Sequence, residues 1–345
     1  MLGALGRAVA FNSKLGWRHF STRASSLSIT RPVQQNGITL SEFTADAIHD
    51  LTGRRAVVTG ANSGLGLQSA IALARKGADV VLACRDEQRG RKADEVVREL
   101  SGSTSVEVRP LDLASLASIR AFADGLSGPV HVLMNNAGVM ATPRTTTADG
   151  FELQFGTNHL GHFALTGLLL PQLRDAGTAR VVTLSSLAHK RGRIDFGDLN
   201  SERRYRRWSA YGQSKIANLF FMVELDRRAR EAGWDLTSVA AHPGLANTNL
   251  TAGMRMPAVL DVLSGFARLV SQSDAAGALP GLYAATEPDV RGGDYYGPSG
   301  PGETRGAPTL VAPVPRVLDR DTAVRLWNRS VELTGVDYAA LRPGD

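Results

Sequence analysis

The sequence lacks the features that mark several large classes of protein. Only one of its 345 residues is a cysteine, Cys84, so no disulfide can form within the chain and a cysteine-rich metal cluster is excluded. No run approaches the roughly 18–20 uninterrupted apolar residues that a membrane-crossing helix needs. The best candidate, 162–173 (HFALTGLLLPQL), is short and contains Pro171. We therefore expect a soluble protein of a reducing compartment, with the cytoplasm as the favoured location.

The chain also lacks an excess of positive charge outside its first residues. The formal net charge is +6, but residues 1–41 hold five basic residues and no acid. Removing those five from the 39 basic residues leaves 34 against 33 acidic residues, so the rest of the chain is near +1. A nucleic-acid surface needs cations clustered on the folded face. The one dense cluster, 202–208 (ERRYRRW), is interpreted as a solvated loop, and no nucleic-acid partner is expected.

Residues 1–45 are interpreted as an N-terminal extension without regular structure. Residues 1–26 are basic, contain serine and carry no acid, which is the composition of an organellar transit segment. Two interpretations compete with targeting and are favoured over it: a disordered tail, and a start codon assigned too early. An organellar location is therefore the alternative to the cytoplasm.

From Leu51 onwards, short β-branched runs alternate with amphipathic stretches. Six such alternations predict an α/β fold, a Rossmann-type doubly wound parallel sheet with helices on both faces. One domain is expected over 51–300, followed by a C-terminal loop and surface helix over 301–345. The glycine- and proline-rich stretch 293–308 is predicted to be a loop. The predicted strands are 54–60, 78–85, 106–113, 130–138, 179–186 and 236–244; the predicted helices are 64–77, 89–100, 115–126, 151–173, 211–233 and 319–335.

The turn after the first strand has a glycine pattern typical of dinucleotide binding. Its glycines follow the spacing G-x-x-x-G-x-G between a strand and a helix. A pyrophosphate binds the backbone N–H groups at a helix N-terminus, so such a turn must be tight and free of side chains at the contact points. The expected cofactor contacts here are Gly60, Asn62, Ser63, Gly64, Leu65 and Gly66.

The end of the second strand indicates which dinucleotide is bound. An acid at this tip would bind the adenosine ribose hydroxyls and favour NAD. Here the strand ends in Cys84 and Arg85, and a guanidinium suits a 2′-phosphate through charge-assisted bonds. NADP is therefore the favoured cofactor. Asp86 could itself reach the ribose, which leaves NAD as the alternative.

Several motifs together resemble the short-chain dehydrogenase/reductase family, in their order and spacing, over residues 50–300. The stretch 184–200 and the interval from Ser186 to Tyr211 resemble its retinol dehydrogenase and protochlorophyllide reductase-like branch. The resemblance implies an NADP-preferring oxidoreductase that interconverts an alcohol and a carbonyl by hydride transfer. The motifs are TGANSGLG (59–66), LDL (111–113), NNAG (135–138), YGQSK (211–215) and HPGLANT (242–248).

The resemblance also implies roles for four polar residues. Tyr211 is the expected general acid and base, and Lys215, four residues on, is expected to lower its pKa from near 10. The family also uses this lysine on the nicotinamide ribose. Ser186 is expected to bond the substrate oxygen, with Ser185 as the less favoured alternative. Asn158 corresponds to the family asparagine that holds a water in the proton relay.

Further cofactor contacts are implied after the later strands. No metal site is expected, since His159 and His162 have no acidic or cysteine partner nearby in sequence and are interpreted as packing or capping residues. Each of the implied contacts could also serve an ordinary turn. They are Asp112 and Leu113 at the adenine, Asn136, Ala137 and Gly138 along the middle, and Pro243, Gly244 and Thr248 at the nicotinamide and diphosphate.

Residues 249–275 are predicted to form a substrate lid. Their apolar residues have helical spacing, which suggests a lipophilic carbonyl or alcohol substrate, although an oligomer contact or ordinary core would give the same pattern. The family commonly forms dimers or tetramers, so a homodimer or homotetramer stays open. The alternative function is a catalytically inactive dinucleotide sensor or scaffold, which an incomplete catalytic set would favour. Here all four residues are present.

Overall fold

The computed structural model describes residues 43–245 and 272–342. Eight strands within them form one sheet: β1 (Arg55–Thr59), β2 (Asp79–Cys84), β3 (Val106–Pro110), β4 (Val132–Asn135), β5 (Ala179–Leu184), β6 (Leu236–Ala241), β7 (Tyr295–Pro298) and β8 (Pro308–Leu310). Their order is β3-β2-β1-β4-β5-β6-β7-β8. The pairs from β3 to β7 are parallel, and β8 pairs antiparallel with β7. The predicted fold class is confirmed.

Helices connect the parallel strands. A π-helical turn, Gly156–Leu160, joins α4 to α5, so the predicted helix 151–173 is divided into shorter pieces. No helix in the described ranges is both long enough and apolar enough to cross a membrane. The helices are α1 (Gly64–Arg75), α2 (Glu87–Ser101), α3 (Leu116–Gly125), α4 (Leu153–Phe155), α5 (Gly161–Leu168), α6 (Leu170–Asp175), α7 (Arg207–Glu231), α8 (Asp274–Thr286) and α9 (Arg320–Thr334).

Both faces of the sheet are buried, which explains the continuous apolar runs in the strands. On β1, Ala56 and Val58 face a core formed with α1 and α8, whereas Val57 faces a second core formed with α3 and α5. Alternate residues of a strand point to opposite faces, so a strand covered by helices on both sides has no polar face. The long helix α7 lies against β5 and β6 and also packs on α9.

The C-terminal region contains the main correction to the predicted fold. Residues 293–308 are not only a loop, because β7 and the first residue of β8 lie in this stretch. Tyr295 and Tyr296 are buried there and pair with Ala240 and Ala241 of β6. The glycine and proline residues around the tyrosines are typical of a loop. The segment is a strand because it pairs with β6. The prediction also missed α8, a helix of small residues with Pro280 inside it.

Two predicted segments lie largely outside the described residues. The N-terminal extension, 1–45, is described only from Phe43, and the substrate lid, 249–275, only from Gln272, two residues before α8 begins. The final predicted helix is present as α9, and Asp319 is its N-cap residue. One face of α9 is buried, including Leu326 and Trp327, so it is an integral packing element as well as a surface helix.

The parallel strands bring the predicted site residues to one edge of the sheet. Gly60, Arg85, Asn136, Ser186 and His242 follow the carboxyl ends of β1, β2, β4, β5 and β6. Open α/β sheets place their ligands at this edge, where the strand order reverses. In this sheet the reversal lies between β1 and β4.

Candidate active site

The turn between β1 and α1 brings three glycines together at the start of the helix. Gly60 and Gly64 have φ values of 66° and 57°, a region that residues with a Cβ rarely adopt. A Cβ on Gly66 would lie 2.5 Å from the Gly60 carbonyl oxygen, so the helix can approach the strand this closely only with glycine there. The N-cap residue, Ser63, makes no side-chain cap bond, and the first helical turn carries no acid. The N–H groups of this turn can therefore receive an anion.

Replacing Gly66 with alanine is expected to weaken binding of a nicotinamide dinucleotide. The added Cβ would lie 2.5 Å from the Gly60 carbonyl and 2.6 Å from Asn136 Nδ2, so the turn must open. We expect Kd to rise about 10-fold, the factor that about 1.4 kcal/mol of lost contact produces. A cofactor-fluorescence titration measures this. Gly281→Ala is the control, because a Cβ there would only touch the Met134 side chain at 3.4 Å; equal Kd values for the two variants would contradict the prediction.

The end of β2 lies beside this turn. Gly60 donates its N–H to the Ala83 carbonyl at 2.8 Å. The backbone N–H groups of Ala61 and Asn62 interact with the Cys84 sulfur. Burial raises the pKa of this thiol to about 11. Cys84 is therefore a packing residue of the glycine turn and is unsuited to act as a nucleophile near neutral pH.

Arg85 follows β2 directly, and it is exposed. Its neighbour Asp86 is the N-cap of α2, where it accepts the Arg89 N–H at 3.0 Å and lies 3.6 Å from the Arg89 guanidinium. This capping role holds Asp86 at the start of the helix, whereas Arg85 is left exposed at the tip of the strand.

The loop after β3 contains the residues predicted to contact the adenine. Asp112 Oδ1 accepts the Ala114 N–H at 2.9 Å, and the Asp112 N–H donates to Ser118 Oγ at 2.9 Å. Leu113 is buried against Gly161, which leaves no space for a Cβ on that glycine. Asp112 thus has a structural role in its own turn, and its contact with a cofactor stays a prediction.

The loop after β4 is attached to the end of β1. Asn136 Nδ2 donates to the Thr59 carbonyl at 2.7 Å, and the N–H groups of Asn136 and Ala137 both donate to Thr59 Oγ1 at 2.9 Å. A Cβ on Gly138 would lie 3.1 Å from Asn158 Oδ1 and 3.5 Å from Lys215 Nζ. The backbone at Gly138 therefore borders the polar centre of the site.

The helix α7 carries the predicted catalytic pair on one face. Tyr211 and Lys215 are both buried, at 5% and 4% exposure. Lys215 Nζ lies 5.7 Å from the centre of the Tyr211 ring. It also donates to the Leu184 carbonyl at 3.1 Å, so the lysine reaches the end of β5.

The pKa values of this pair differ from the expectation. Burial raises the pKa of Tyr211 to about 12, and the neighbouring Ser186 hydroxyl opposes that rise without cancelling it. Burial lowers the pKa of Lys215 to about 8. The expectation that the ammonium lowers the tyrosine pKa is therefore wrong for the protein chain by itself. Desolvation disfavours both charged forms, and it is the largest influence on each pKa.

The two serines after β5 face different partners. Ser185 Oγ donates to the Lys215 carbonyl at 2.9 Å and attaches the end of the strand to α7. Ser186 instead faces the Tyr211 phenol, and it also accepts the Ala188 N–H at 3.2 Å as the N-cap of the 3₁₀ turn Leu187–Arg191. The structure thus brings Ser186, and not Ser185, to the hydroxyl of Tyr211.

Asn158 lies in the π-helical turn, an irregularity found frequently at functional sites. Its Oδ1 accepts the Val139 N–H at 2.8 Å, while its Nδ2 donates to the Val139 carbonyl and to Ser214 Oγ, each at 2.9 Å. The Asn158 side chain therefore links the loop after β4 to α7. Its role in a water relay stays a prediction.

The two histidines near Asn158 are buried and make structural contacts. His162 Nδ1 lies 3.0 Å from the Asn158 carbonyl and His162 Nε2 lies 3.0 Å from Thr59 Oγ1. His159 Nε2 lies 2.9 Å from Ser330 Oγ. Burial lowers the pKa values of His159 and His162 to about 3 and about 4, so both are neutral near pH 7.

The turn after β6 contains the residues predicted at the nicotinamide. Gly244 has a φ of 66°, and a Cβ there would overlap the Thr304 carbonyl. Pro243 accepts a hydrogen bond from Gln272 Nε2 at 2.6 Å. Thr248 lies outside the described residues.

A group of polar residues behind these turns was not predicted as part of the site. It comprises His189, Lys190, His242 and Glu303. His242 stands within the quoted HPG motif, and this position was the one available signal. Glu303 lies in the loop after β7, far along the chain, and no local pattern connects it with the others.

The residues at this edge fit a nicotinamide dinucleotide. The glycine turn offers helix N–H groups for a pyrophosphate. Within the described residues, the nearest atom to a Cβ placed on Gly64 would be an oxygen of Asp274, at 3.9 Å. At the far end of the same edge, Lys215 and Ser186 accompany the Tyr211 phenol. An anion-binding turn and a group able to move a proton thus share one edge of the sheet.

Comparison with known proteins agrees with this geometry. The family model described as short chain dehydrogenase matches residues 54–257. Human retinol dehydrogenase 13 is 42% identical over 302 residues, which cover 85% of this chain and 88% of the relative. A crystal structure of a Mycobacterium paratuberculosis protein matches with a TM-score of 0.73 and 45% identity, over 86% of this chain and 98% of that one.

A more distant solved structure contains the expected cofactor. It is a Beutenbergia cavernae protein named as an NAD(P) dependent gluconate 5-dehydrogenase, with NADP bound at low occupancy. Its TM-score is 0.54 at 26% identity, over 69% of this chain and 91% of that one.

Proposed function

Because this chain belongs to the short-chain dehydrogenase family, in its retinol dehydrogenase-like branch, we propose that Tyr211 is the general acid and base of an NADP-preferring oxidoreductase. The family membership makes the chain an NAD(P)-dependent oxidoreductase that acts on CH–OH or C=O groups. The proposal adds the residues that perform the reaction, the preferred cofactor and the character of the substrate. The observation that carries it is the Tyr211 phenol, which faces Ser186 and has Lys215 beside its ring.

When bound, the nicotinamide dinucleotide supplies or accepts the hydride. Tyr211 donates its phenolic proton to the substrate oxygen in reduction, and takes it back in oxidation. Ser186 donates a hydrogen bond to the same oxygen and fixes it at the phenol. Lys215 stabilises the phenolate that forms, since its ammonium lies near the ring in a site from which water is largely excluded.

The burial of Tyr211 and Lys215 is favourable for this role. Burial destabilises the charged form of each group, as their shifted pKa values indicate. A proton that leaves the tyrosine creates a phenolate and ammonium pair, whose attraction is stronger where water is excluded. The arrangement therefore favours the charged pair at the stage of the reaction where the phenol has lost its proton.

The preference for NADP rests on Arg85. This exposed guanidinium follows β2, and Asp86, the acid that could favour NAD, caps α2. The solved structure with bound NADP, which is 26% identical to this chain, agrees with the proposal.

Replacing Arg85 with alanine is expected to reduce the preference for NADPH over NADH by about 10-fold, because a charge-assisted contact with the 2′-phosphate contributes roughly 1.5–3 kcal/mol. The measurement is the ratio of Kd values for the two cofactors by fluorescence titration. Arg89→Ala is the control, since Arg89 lies one helical turn further along and pairs with Asp86. An unchanged ratio in Arg85→Ala would refute this assignment of the strand tip.

The proposed substrate is a lipophilic carbonyl or alcohol. Trp208 is 61% exposed and lies edge-on to the Tyr211 ring, with 6.1 Å between ring centroids. An apolar side chain of this size at the approach to the tyrosine supports an apolar substrate. The similarity to human retinol dehydrogenase 13 points to the same class of substrate.

A carbonyl panel with NADPH tests the proposed function. We expect oxidation of NADPH with ring or long-chain aldehydes and ketones, and weaker activity with short polar ones. An inactive dinucleotide sensor would bind NADPH and oxidise it with no member of the panel. That result would overturn the proposal.

A further inference from the structure

One carboxylate joins two turns of the candidate active site. Glu303 lies in the loop after β7, within the 3₁₀ turn Pro301–Glu303. Its Oε1 accepts a hydrogen bond from Lys190 Nζ at 2.8 Å, and its Oε2 lies 3.1 Å from His242 Nε2. Lys190 belongs to the turn that begins at Ser186, and His242 directly follows β6. Glu303 therefore contacts the segments after β5 and β6 at the same time.

The hydrogen bonds of the His242 ring define where its proton lies. The Gly244 N–H donates to His242 Nδ1 at 3.2 Å, so Nδ1 must be the unprotonated nitrogen. The proton of the neutral ring is then on Nε2, the atom beside Glu303 Oε2. The two atoms are buried and 3.1 Å apart, and neither makes a hydrogen bond of regular geometry in the described part of the chain. A carboxylate at this place selects the tautomer that accepts the Gly244 N–H.

The surroundings of the ring leave it little freedom. His242 is fully buried, and a Cβ on Gly297 of β7 would overlap it. The loop that carries Glu303 also contacts the Gly244 turn directly, since the Leu245 N–H donates to the Thr304 carbonyl at 2.8 Å. The ring and the loop therefore hold the Gly244 turn from two sides.

The contact on the other side of Glu303 reaches the Ser186 turn. His189 Nδ1 donates to the Ser186 carbonyl at 2.7 Å, and Lys190 is the next residue. The Lys190 side chain is half-exposed, whereas His189 beside it is buried, so the ion pair with Glu303 joins the outer side of this turn to the loop.

The backbone at Glu303 supports a specific role for its side chain. Its φ is 57°, a left-handed conformation that is unfavourable for a residue with a Cβ. Such conformations persist where surrounding contacts enforce them, and they occur often at functional sites. The contact with His242, followed by the Lys190 ammonium, holds the pKa of the Glu303 carboxyl at about 2, so it is ionised throughout the neutral range.

We propose that Glu303 is a positioning residue of the active site, which selects the Nε2–H tautomer of His242 and binds Lys190, and thereby sets the Gly244 turn and the Ser186 turn relative to each other. Its catalytic consequence rests on the proposed function, in which Ser186 meets the substrate oxygen and Gly244 borders the nicotinamide.

The Glu303→Gln variant tests this proposal, because an amide has one accepting oxygen. The Lys190 ammonium takes that oxygen, so the amide NH₂ faces His242 Nε2 and can donate only to an unprotonated nitrogen. His242 then changes to the Nδ1–H tautomer and loses the Gly244 hydrogen bond. We expect kcat to fall about 10-fold through misplacement of the turns. The Kd for NADPH should change less than about 3-fold, because the glycine turn at α1 is untouched.

The double variant Glu303→Gln with Lys190→Met separates positioning from a general loss of stability. Without the ammonium, the amide oxygen is free to turn toward His242 Nε2–H, so we expect at least half of the lost kcat to return. Glu332→Gln is the charge control, because that exposed acid pairs with Arg329 within α9. A kcat in Glu303→Gln equal to that of this control, or no recovery in the double variant, would overturn the catalytic part.

Imidazole ¹⁵N shifts supply a measurement that needs no turnover. In the wild-type protein, His242 should have a protonated Nε2 and an unprotonated Nδ1, and Glu303→Gln should reverse this; the signal is assigned by its loss in His242→Asn. A wild-type Nδ1–H tautomer would overturn the proposal even if the enzyme is active. Absence of turnover by the wild-type protein in the carbonyl panel would instead refute the proposed function, and the ¹⁵N shifts would still decide whether Glu303 selects the tautomer.

Discussion

Tyr211→Phe is expected to lower NADPH-dependent carbonyl reduction by at least about 1,000-fold, within the range that general acid catalysis supplies. The Tyr211 ring is 5% exposed, and its phenol faces Ser186, so the substitution removes one hydroxyl and leaves the packing of α7 in place. The Kd for NADPH should change little, because we expect the glycine turn and the loops after the strands to supply most of the contacts with the dinucleotide. Steady-state rates and a cofactor-fluorescence titration measure the two quantities.

Tyr283→Phe is the matched control for this prediction. Tyr283 lies in α8 and is also 5% exposed. Its phenol, however, donates to the two carboxylate oxygens of Asp289, in the loop after α8, at 3.0 and 3.2 Å. We expect this variant to lose stability and to keep its activity below the unfolding transition. Turnover that survives in Tyr211→Phe would exclude the tyrosine as the acid, and another group would have to supply the proton.

Lys215→Met is expected to abolish turnover and to stabilise the protein at neutral pH. Burial lowers the pKa of Lys215 from 10.5 to about 8, so the folded chain holds this ammonium at a cost. A shift of this size corresponds to about 3 kcal/mol at about 1.4 kcal/mol per pKa unit. Methionine fills a similar volume without a charge. The apparent Tm should therefore rise by several degrees at pH 7, while carbonyl reduction falls to the level of Tyr211→Phe.

The pH dependence of this stabilisation has a definite sign. The folded pKa of Lys215 lies below the unfolded value, so the unfolded chain binds more protons between about pH 8 and 10.5. Stability of the wild-type protein should rise with pH in this window as the buried ammonium is lost. The advantage of Lys215→Met is therefore largest below pH 8 and disappears toward pH 10.5. Denaturant unfolding at pH 7 and pH 9.5 measures the change.

Lys92→Met supplies the control for the loss of a lysine in general. Lys92 is exposed on α2, so its replacement should change the free energy of unfolding by less than about 0.5 kcal/mol at both pH values. Equal stability of Lys215→Met and wild-type protein at pH 7 would show that the buried ammonium is compensated, for example by its bond to the Leu184 carbonyl.

The paired predictions for Tyr211 and Lys215 describe a site where the groups needed for the proposed reaction lower the free energy of unfolding. Burial shifts the pKa of each group toward the value that favours its neutral form, and an oppositely charged neighbour arises only when the phenol loses its proton. Variants that relieve this burden are expected to be more stable and inactive, as is common at active sites. A stabilised Lys215→Met would therefore support the proposed chemistry as well as the structure.

Local sequence patterns predicted the fold class and the position of the candidate site. Alternating apolar runs and helical periods imply a doubly wound sheet, because they report which faces each element must bury. The glycine turn and the Tyr211–Lys215 spacing are equally local, since a turn and one helical repeat each depend on neighbouring residues. Parallel strands then bring Gly60 and Ser186 to one edge, a consequence of topology that the strand order alone implies.

Features that depend on distant contacts could not be predicted in this way. Ser185 and Ser186 are adjacent and chemically identical, and only the packing of α7 turns one toward a backbone carbonyl and the other toward the phenol. The pKa of Tyr211 was expected to fall, but it rises, because burial depends on the whole fold and the sequence shows only the neighbouring charge. The sequence did not predict β7, because this segment is a strand only through its pairing with β6.

The connection through Glu303 has the same origin. Neither His242 nor Lys190 lies near it in the sequence, and the three meet because consecutive strands of the sheet end side by side. Short-range order thus follows from residue type and spacing, which set local conformation and the faces to be buried. Charge states, tautomers and the choice between identical neighbours follow from burial and long-range contacts, which exist only once the chain has folded.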